Sequence, residues 1–197
     1  MSKRNDKIKT VVKASGLSKD EVEFLYESNA IESEYGLRAL EDAAEAWKYL
    51  KAVKMPMQVK HVLEAHRLLC RRIHPEIAGR IRNCAVWIGG HLKKAYPEIK
   101  LKEDLDEILL RSEFDIDGAN HHGLPQGEKE AIAREHHVRA EEWHGFQDGN
   151  GRSLRLLWQW NRLQMKLPVA IIWAATKHAL YYSWFLTDSQ ETQEPSR

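Results

Sequence analysis

The sequence predicts an all-α fold, a single mainly helical domain with one short β-hairpin that we call the flap. Most of the chain shows apolar residues recurring every three or four positions, the spacing of amphipathic helices. Residues 79–92 differ, because Gly79 and Gly89-Gly90 bound a segment of β-favouring residues, namely Ile81, Val86, Trp87 and Ile88. The length of 197 residues suits one domain. With no internal repeat or linker, we expect residues 1–197 to form one unit.

Charge and cysteine content exclude several classes of protein. With 30 Lys and Arg against 29 Asp and Glu, the net charge is +1. The strong positive field of a nucleic-acid or membrane-surface binder is therefore missing. The two cysteines, Cys70 and Cys84, are too few for a disulfide framework or a cysteine zinc cluster and fit a reducing compartment. The longest apolar run, residues 168–175, is far below the roughly 18 residues of a membrane helix. We expect a cytoplasmic protein that binds neither nucleic acid nor membranes.

The first half of the chain is predicted to form three helices before the flap. Ser18 and Glu21 have the spacing of a capping box, which predicts a helix over residues 18–31. Helical spacing predicts two further helices, separated by the break at Met55-Pro56. Their apolar positions are Leu37, Leu40, Ala44, Trp47 and Leu50, then Val59, Val62, Leu63, His66, Leu69, Cys70 and Ile73.

The second half is predicted to alternate helices with loops. Pro97 opens a helix that ends near Phe114, and a long loop over residues 115–127 follows. Three more helices are predicted over residues 128–143, 152–165 and 169–186. The polar tail, residues 188–197, is expected to be disordered. Four tryptophans are expected in the core, since no basic groove accompanies them; these are Trp158, Trp160, Trp173 and Trp184.

The loop over residues 144–151 and the helix after it combine groups that suit a nucleotide. Gly149 and Gly151 allow close approach of a ligand, and the helix directs its unpaired N–H groups and positive dipole end into the loop. Arg152 and Arg155 are neighbours on one helix face, which is unfavourable unless they share an anion.

Two further residues of this segment carry chemistry. Asp148 is a hard oxygen ligand of the kind that holds Mg²⁺ together with substrate phosphates. His144, with an unperturbed pKa of about 6.5, could accept a hydroxyl proton at neutral pH. The alternative is that Asp-Gly-Asn-Gly is only a turn and the arginines a solvated face, which would be favoured for Asp-Gly or Asn-Gly alone.

The complete string resembles the signature of the Fic family: a His, Phe two positions on, Asp four on, then Gly-Asn-Gly-Arg, and an Arg three further. All specified positions match, namely His144, Phe146, Asp148, Gly149, Asn150, Gly151, Arg152 and Arg155. Gly145 replaces the usual Pro after the His, and Trp143 replaces the usual aliphatic residue before it. The resemblance covers residues 28–167 and includes Ala133, His137, Gly79, Arg82, Val86 and Ile88.

The resemblance implies a Fic-like catalytic core over residues 57–187 that transfers AMP from ATP to a Ser, Thr or Tyr hydroxyl of a protein. His144 would deprotonate the hydroxyl, and Asp148 would hold Mg²⁺. Arg152 would stabilise the leaving phosphates, and Arg155 would clamp the γ-phosphate. The groups implied to hold the other phosphates are Asn150 and the backbone of Gly149 and Gly151. The residues implied to dock the target as an extended strand belong to the flap, Arg82, Val86, Trp87 and Ile88.

A second resemblance concerns residues 18–34. Ser28 and Glu32 match the family's inhibitory-helix motif, Ser or Thr followed four residues later by Glu and then Gly or Asn, although Ser33 departs from its last position. The motif implies that Glu32 forms a bidentate pair with Arg155 and occupies the place of the γ-phosphate. The alternative is that Glu32 is a surface charge at a helix end.

Other hypotheses stay open. The site could instead remove AMP from a modified protein, with Glu32 orienting water, or transfer another phosphate-containing group. A different class is a nucleotide-binding regulatory module with little catalysis, and the sequence also leaves open whether a homodimer forms. A di-iron centre is rejected because Glu141-x-x-His144 has no second copy. A calcium loop after Glu113 is rejected because Leu124 stands where the bidentate Glu belongs.

Overall fold

The computed structural model describes residues 3–88 and 91–185. Within these ranges the chain forms a helical fold with one two-stranded antiparallel sheet, which confirms the predicted all-α class. The helices are α1 (Lys3–Ser15), α2 (Lys19–Ile31), α3 (Leu37–Ala52), α4 (Val59–Cys70), α5 (Glu98–His121), α6 (Gln126–Trp143) and α7 (Asn150–Gln164), and the strands are β1 (Val86–Ile88) and β2 (His91–Lys93). Among the described residues no helix is long and apolar enough to cross a membrane.

Helix α7 is the central helix of the core. It packs against α2, α3, α4, α5 and α6. Leu154, Leu156 and Trp160 on α7 are at most 2% exposed, and residues from every other α-helix join the same cluster. Because five helices pack against α7, its N-terminus, where the signature lies, is anchored in the closely packed core.

The start of α2 shows the predicted capping box. The Ser18 hydroxyl accepts a hydrogen bond from the Glu21 N–H (3.2 Å), and the Ser18 N–H donates to the Glu21 carboxylate (2.9 Å). The same carboxylate accepts from Trp47 Nε1 (2.8 Å) and Lys51 Nζ (2.6 Å) on α3. The cap therefore also ties α2 to α3.

The prediction of a long loop over residues 115–127 is wrong. Helix α5 continues to His121, and only residues 122–125 connect it to α6. Ile116 and Ala119 are at most 1% exposed, and Arg111 pairs with Asp115 one turn later at 3.0 Å. Burial and this ion pair outweigh the turn propensity of Asp115, Asp117 and Gly118, since propensity is only a weak prior.

The two ends of the chain also differ from the prediction. The helix predicted over residues 169–186 is absent from the described part, where irregular backbone leads into 3₁₀ and π turns over residues 174–185. Trp173 is 47% exposed and not in the core. Helix α1, not predicted, buries Ile8 and Val11. The predicted disordered tail, residues 188–197, lies outside the described residues.

The flap is an antiparallel hairpin, as predicted, but its first strand begins only at Val86. Val86 lies opposite Lys93, and Trp87 lies opposite Leu92. Trp87 is 71% exposed and Leu92 is 53% exposed, whereas Val86 is only 8% exposed. The hairpin therefore presents an apolar cross-strand pair to solvent and buries Val86.

Candidate active site

His144 ends α6 in a left-handed conformation, φ 45° and ψ 52°, which is uncommon for a residue other than glycine. Its Nδ1 lies 3.3 Å from the carbonyl oxygen of Glu141. Because a carbonyl can only accept, Nδ1 carries the proton and Nε2 keeps its lone pair. Burial lowers the pKa of His144, so the ring is neutral at pH 7. His144 thus has the form a general base requires.

The Asn150 side chain braces the loop over residues 144–151. Its amide donates to the Phe146 carbonyl (2.8 Å), and its Oδ1 accepts from the Phe146 N–H (2.9 Å). The side chain is 3% exposed. One amide N–H and Oδ1 are thus used by the loop, and the backbone N–H of Asn150 has no acceptor among the described residues, so its phosphate-holding role stays a prediction.

His66 on α4 supports the same loop, and the sequence did not identify it as a site residue. Its Nδ1 accepts from the Gly79 N–H (2.9 Å), so Nε2 carries the proton and donates to the Asp148 carbonyl (2.9 Å). The ring stacks on Phe146 with centroids 3.8 Å apart. Burial lowers the pKa of His66 to about 4, which keeps this tautomer neutral. The available signal was a histidine among apolar positions of α4.

An anion cradle is formed where α7 begins. Gly149 caps the helix with φ 75°, and a Cβ there would lie 2.8 Å from Cys70 Sγ, so glycine is required twice over. Among the described residues, the N–H groups of residues 150–152 have no acceptor. Arg152 is 5% exposed, and its Nε finds no hydrogen-bond partner in the described part of the chain. A buried cation beside unpaired N–H groups is a site for an anion.

The Asp148 carboxylate lies at the exposed edge of the cradle. Its Oδ1 accepts from the Gly149 N–H (2.6 Å), and its Oδ2 lies 3.2 Å from His74 Nε2. The described residues contain no group of three or more His, Cys, Asp or Glu that could hold a metal ion. Asp148 itself is a half-exposed carboxylate, the type of ligand that Mg²⁺ takes together with phosphate and water oxygens.

Glu32 and Ser28 meet Arg155 across 123 and 127 positions of sequence. Arg155 Nη2 lies 2.8 Å from Glu32 Oε1, and its Nε and Nη2 also donate to the Ser28 hydroxyl and carbonyl, each at 2.9 Å. The pair is thus not bidentate as expected, because Ser28 takes part of the guanidinium fork. A Cβ on Gly151 would lie 2.5 Å from Glu32 Oε1, so the carboxylate sits directly over the start of α7.

Ser33, which departs from the family motif, has φ 62°. Gly and Asn adopt this left-handed conformation more easily than Ser, which explains the residue types that the motif favours after Glu32. The chain reaches the same backbone turn with Ser, and the Ser33 N–H still donates to the Ala30 carbonyl (3.0 Å).

A buried polar layer lies behind Arg155. Its guanidinium stands 5.7 Å from the Tyr181 ring centre, and the Tyr181 hydroxyl lies 2.8 Å from His137 Nε2. Burial raises the pKa of the Glu141 carboxyl to about 7 and lowers the pKa of His137 to about 3. His137 is therefore neutral at pH 7, and Glu141 titrates close to pH 7 beside the Arg155 cation.

Arg82 joins the flap to the loop over residues 144–151. It is 3% exposed, and its guanidinium donates to the carbonyls of His144 (2.7 Å), Cys84 (2.7 Å) and Lys94 (2.8 Å). These bonds hold the guanidinium to backbone carbonyls, and the target-docking role of Arg82 stays a prediction. Val86 and Trp87 line one cleft of about 1130 Å³ together with His144 and the cradle, and Ile88 completes β1.

Comparisons with known proteins agree with this geometry. A model of the Fic/DOC family matches residues 56–161, more than half of the chain. The protein adenylyltransferase Fic of Drosophila ananassae is 31% identical over 130 residues, which cover 64% of this chain and 24% of that protein. The chain thus spans about a quarter of the length of the curated relatives it matches.

Solved structures share the fold. A Fic domain-containing signaling protein from Bacteroides thetaiotaomicron matches 91% of this chain and 79% of its own, with a TM-score of 0.67 and 17% identity. Fic-1 from C. elegans matches 92% of this chain and 63% of its own, with a TM-score of 0.65 and 19% identity. The matched region contains the complete signature from His144 to Arg155, and the chain belongs to the Fic/DOC family.

Proposed function

We propose that this chain is a protein adenylyltransferase that transfers AMP from ATP to a side-chain hydroxyl of another protein. One arrangement carries the proposal: His144, with its free Nε2, lines the same cleft as the anion cradle and the unpartnered Arg152. A nucleotide-binding module without catalysis would have no use for a buried base in that form. The adenylyltransferase relatives support the same reaction class.

The reaction follows from the roles of these residues. His144 Nε2 takes the proton of the target hydroxyl, whose oxygen forms a bond to the α-phosphorus while the bond to the bridging oxygen breaks and pyrophosphate leaves. The N–H groups at the start of α7 and Arg152 counter the charge on the phosphate oxygens. Mg²⁺, held by Asp148, would neutralise further phosphate charge. In-line placement of the hydroxyl and ATP would supply much of the rate through positioning.

We further propose that α2 inhibits the site through Glu32. Its carboxylate contacts Arg155 and lies over Gly151, so it occupies the end of the cradle where a terminal phosphate would bind. Two anions would repel each other there, and bound ATP must displace the carboxylate. The Ser28 contacts to Arg155 favour the inhibited arrangement, because they fix the guanidinium toward α2.

Glu32→Gly tests this inhibition, with Glu34→Gly as the matched control because no described residue pairs with the Glu34 carboxylate. A charge-assisted pair contributes about 1.5 to 3 kcal/mol, and we expect ATP binding, measured by calorimetric titration, to tighten by roughly 10- to 100-fold. Covalent labelling of protein by α-³²P-ATP should rise in parallel. Equal ATP affinity and equal labelling in the wild-type protein and Glu32→Gly would contradict the proposal.

A further inference from the structure

A second groove, of about 1100 Å³, adjoins the active-site cleft. It runs between the flap, α5 and α6. Lys93 and Glu142 line both the groove and the cleft, so the two share a border. Any protein segment that brings a hydroxyl to His144 and then passes β2 would enter this groove.

The groove offers an apolar surface. Leu101 and Trp143 form a buried floor, at 3% and 7% exposure. On its rim, Leu110 is 67% exposed and Phe114 is 74% exposed. These two residues lie one turn apart on α5, so they form one continuous apolar strip facing solvent. Exposed apolar surface joined to a rim of charge is typical of an interaction site.

The charges around this strip are unbalanced. The cations are committed: Arg111 pairs with Asp115, Arg139 pairs with Glu135, and Lys93 donates to the Glu142 carbonyl. The guanidinium of Arg82 is likewise taken up by backbone carbonyls. By contrast, three lining carboxylates form no ion pair among the described residues, and these are Glu113, Asp117 and Glu142. The groove therefore presents an apolar strip bordered by free negative charge.

We propose that this groove binds a basic amphipathic segment of the protein substrate, next to the segment that carries the modified hydroxyl. Apolar side chains of that segment pack on Leu110 and Phe114, and its Lys or Arg side chains pair with Glu113 and Asp117. The inference rests on the proposed transfer to a protein. Under this proposal the charges and apolar side chains next to the modified segment determine which substrate is chosen. Main-chain pairing with the flap contributes little, since it discriminates weakly between side chains.

The probe is a fluorescein-labelled peptide with Leu at helical spacing and Lys at the remaining positions, and its control carries Glu in place of Lys. Binding is followed by fluorescence anisotropy without ATP. We expect the basic peptide to bind, the acidic one not to bind, and Glu113→Gln/Asp117→Asn to lower affinity roughly tenfold. Glu103→Gln/Asp106→Asn on the same helix is the matched control, because those carboxylates do not line the groove, and it should bind as wild type does.

Equal affinity of both double variants for the basic peptide, or binding of the acidic peptide, would overturn the proposal. A second contrary outcome is a dimer of the wild-type protein in sedimentation that only the Glu113→Gln/Asp117→Asn variant fails to form. The groove would then join two copies of this chain. A further test uses the basic peptide extended by a Ser-containing segment. Its labelling distinguishes failure of the groove proposal from failure of the proposed transfer reaction. Self-labelling of Glu32→Gly without peptide binding would refute the groove alone, and peptide binding without any label transfer would refute the proposed reaction alone.

Discussion

At the scale of single residues, the proposed transfer depends on which nitrogen of His144 holds the proton. We expect His144→Ala to lower transfer by about 10²- to 10⁴-fold, the usual contribution of a general base, with ATP affinity preserved. Because burial lowers the pKa of His144, the wild-type rate should rise with pH through an apparent pKa below about 6.5 and then level off. The pH dependence of kcat/KM measures this. Normal labelling by His144→Ala would remove the residue from the mechanism.

The signature residues were predictable because their spacing is local, within one loop and the first turn of one helix. Their contacts were not all predictable. His66 donates to the Asp148 carbonyl, which lies 82 positions away in the sequence. Nothing in the residue spacing of α4 indicates this contact. The Asn150 side chain is a similar case, since only the folded loop shows that its amide donates to and accepts from the backbone of Phe146.

At the scale of elements, the two departures from the family signature form one compensated pair. A Cβ on Gly145 would overlap the indole ring of Trp143, whose Nε1 donates to the Leu101 carbonyl at 2.8 Å. The same ring packs edge-on against Phe146, with centroids 5.3 Å apart. Gly145 is therefore the residue that admits Trp143 beneath the loop, and the loop gains an aromatic contact in place of the usual Pro.

A double-mutant cycle tests this pairing. Gly145→Ala should lower the free energy of unfolding by about 1 to 3 kcal/mol, the cost of overpacking. The same change in a Trp143→Leu background should cost far less, which gives a coupling of about 0.5 to 3 kcal/mol. Urea denaturation of the four proteins measures it. Additive effects would mean that Gly145 is needed for its backbone and not for the tryptophan.

The flap makes a separate prediction at this scale. Trp87 is 71% exposed, so Trp87→Ala should leave the fold intact while it lowers transfer to a protein target, because an exposed aromatic beside the base suits target contact. Val86→Ala is the contrasting variant, since Val86 is buried and its loss should lower thermal stability. ATP affinity is measured for both. If Trp87→Ala reduced ATP binding and transfer equally, the flap would serve the nucleotide and not the target.

Element boundaries were predictable where a local signal fixed them. The capping box at Ser18 and Glu21 is such a case. Boundaries were missed where burial decided them, as in α5, whose last turns exist because Ile116 and Ala119 are covered by the rest of the molecule. The 3₁₀ and π turns of residues 174–185 follow the same rule, because their contacts lie on distant helices.

At the scale of the whole molecule, α2 is held from two further sides besides Arg155. Arg4 of α1 pairs with Glu23 and Glu27 at 2.7 and 2.9 Å. From the other end of the chain, the Ala174 N–H donates to the Glu27 carboxylate at 3.1 Å, and Lys177 Nζ donates to the Ile31 carbonyl at 2.6 Å. Glu32 follows Ile31 directly, so the position of its carboxylate depends on segments from both ends of the described chain.

Lys177→Met should therefore weaken the inhibition without touching the nucleotide site, since Lys177 does not line the cleft. The lost hydrogen bond is worth about 0.5 to 1.5 kcal/mol, which corresponds to a rise in ATP affinity and labelling of roughly 2- to 10-fold. The control is Lys48→Met, an exposed change on α3. In the Glu32→Gly background Lys177→Met should have no further effect, because the carboxylate it positions is already gone. A further rise in that background would mean that Lys177 acts on the site by another route.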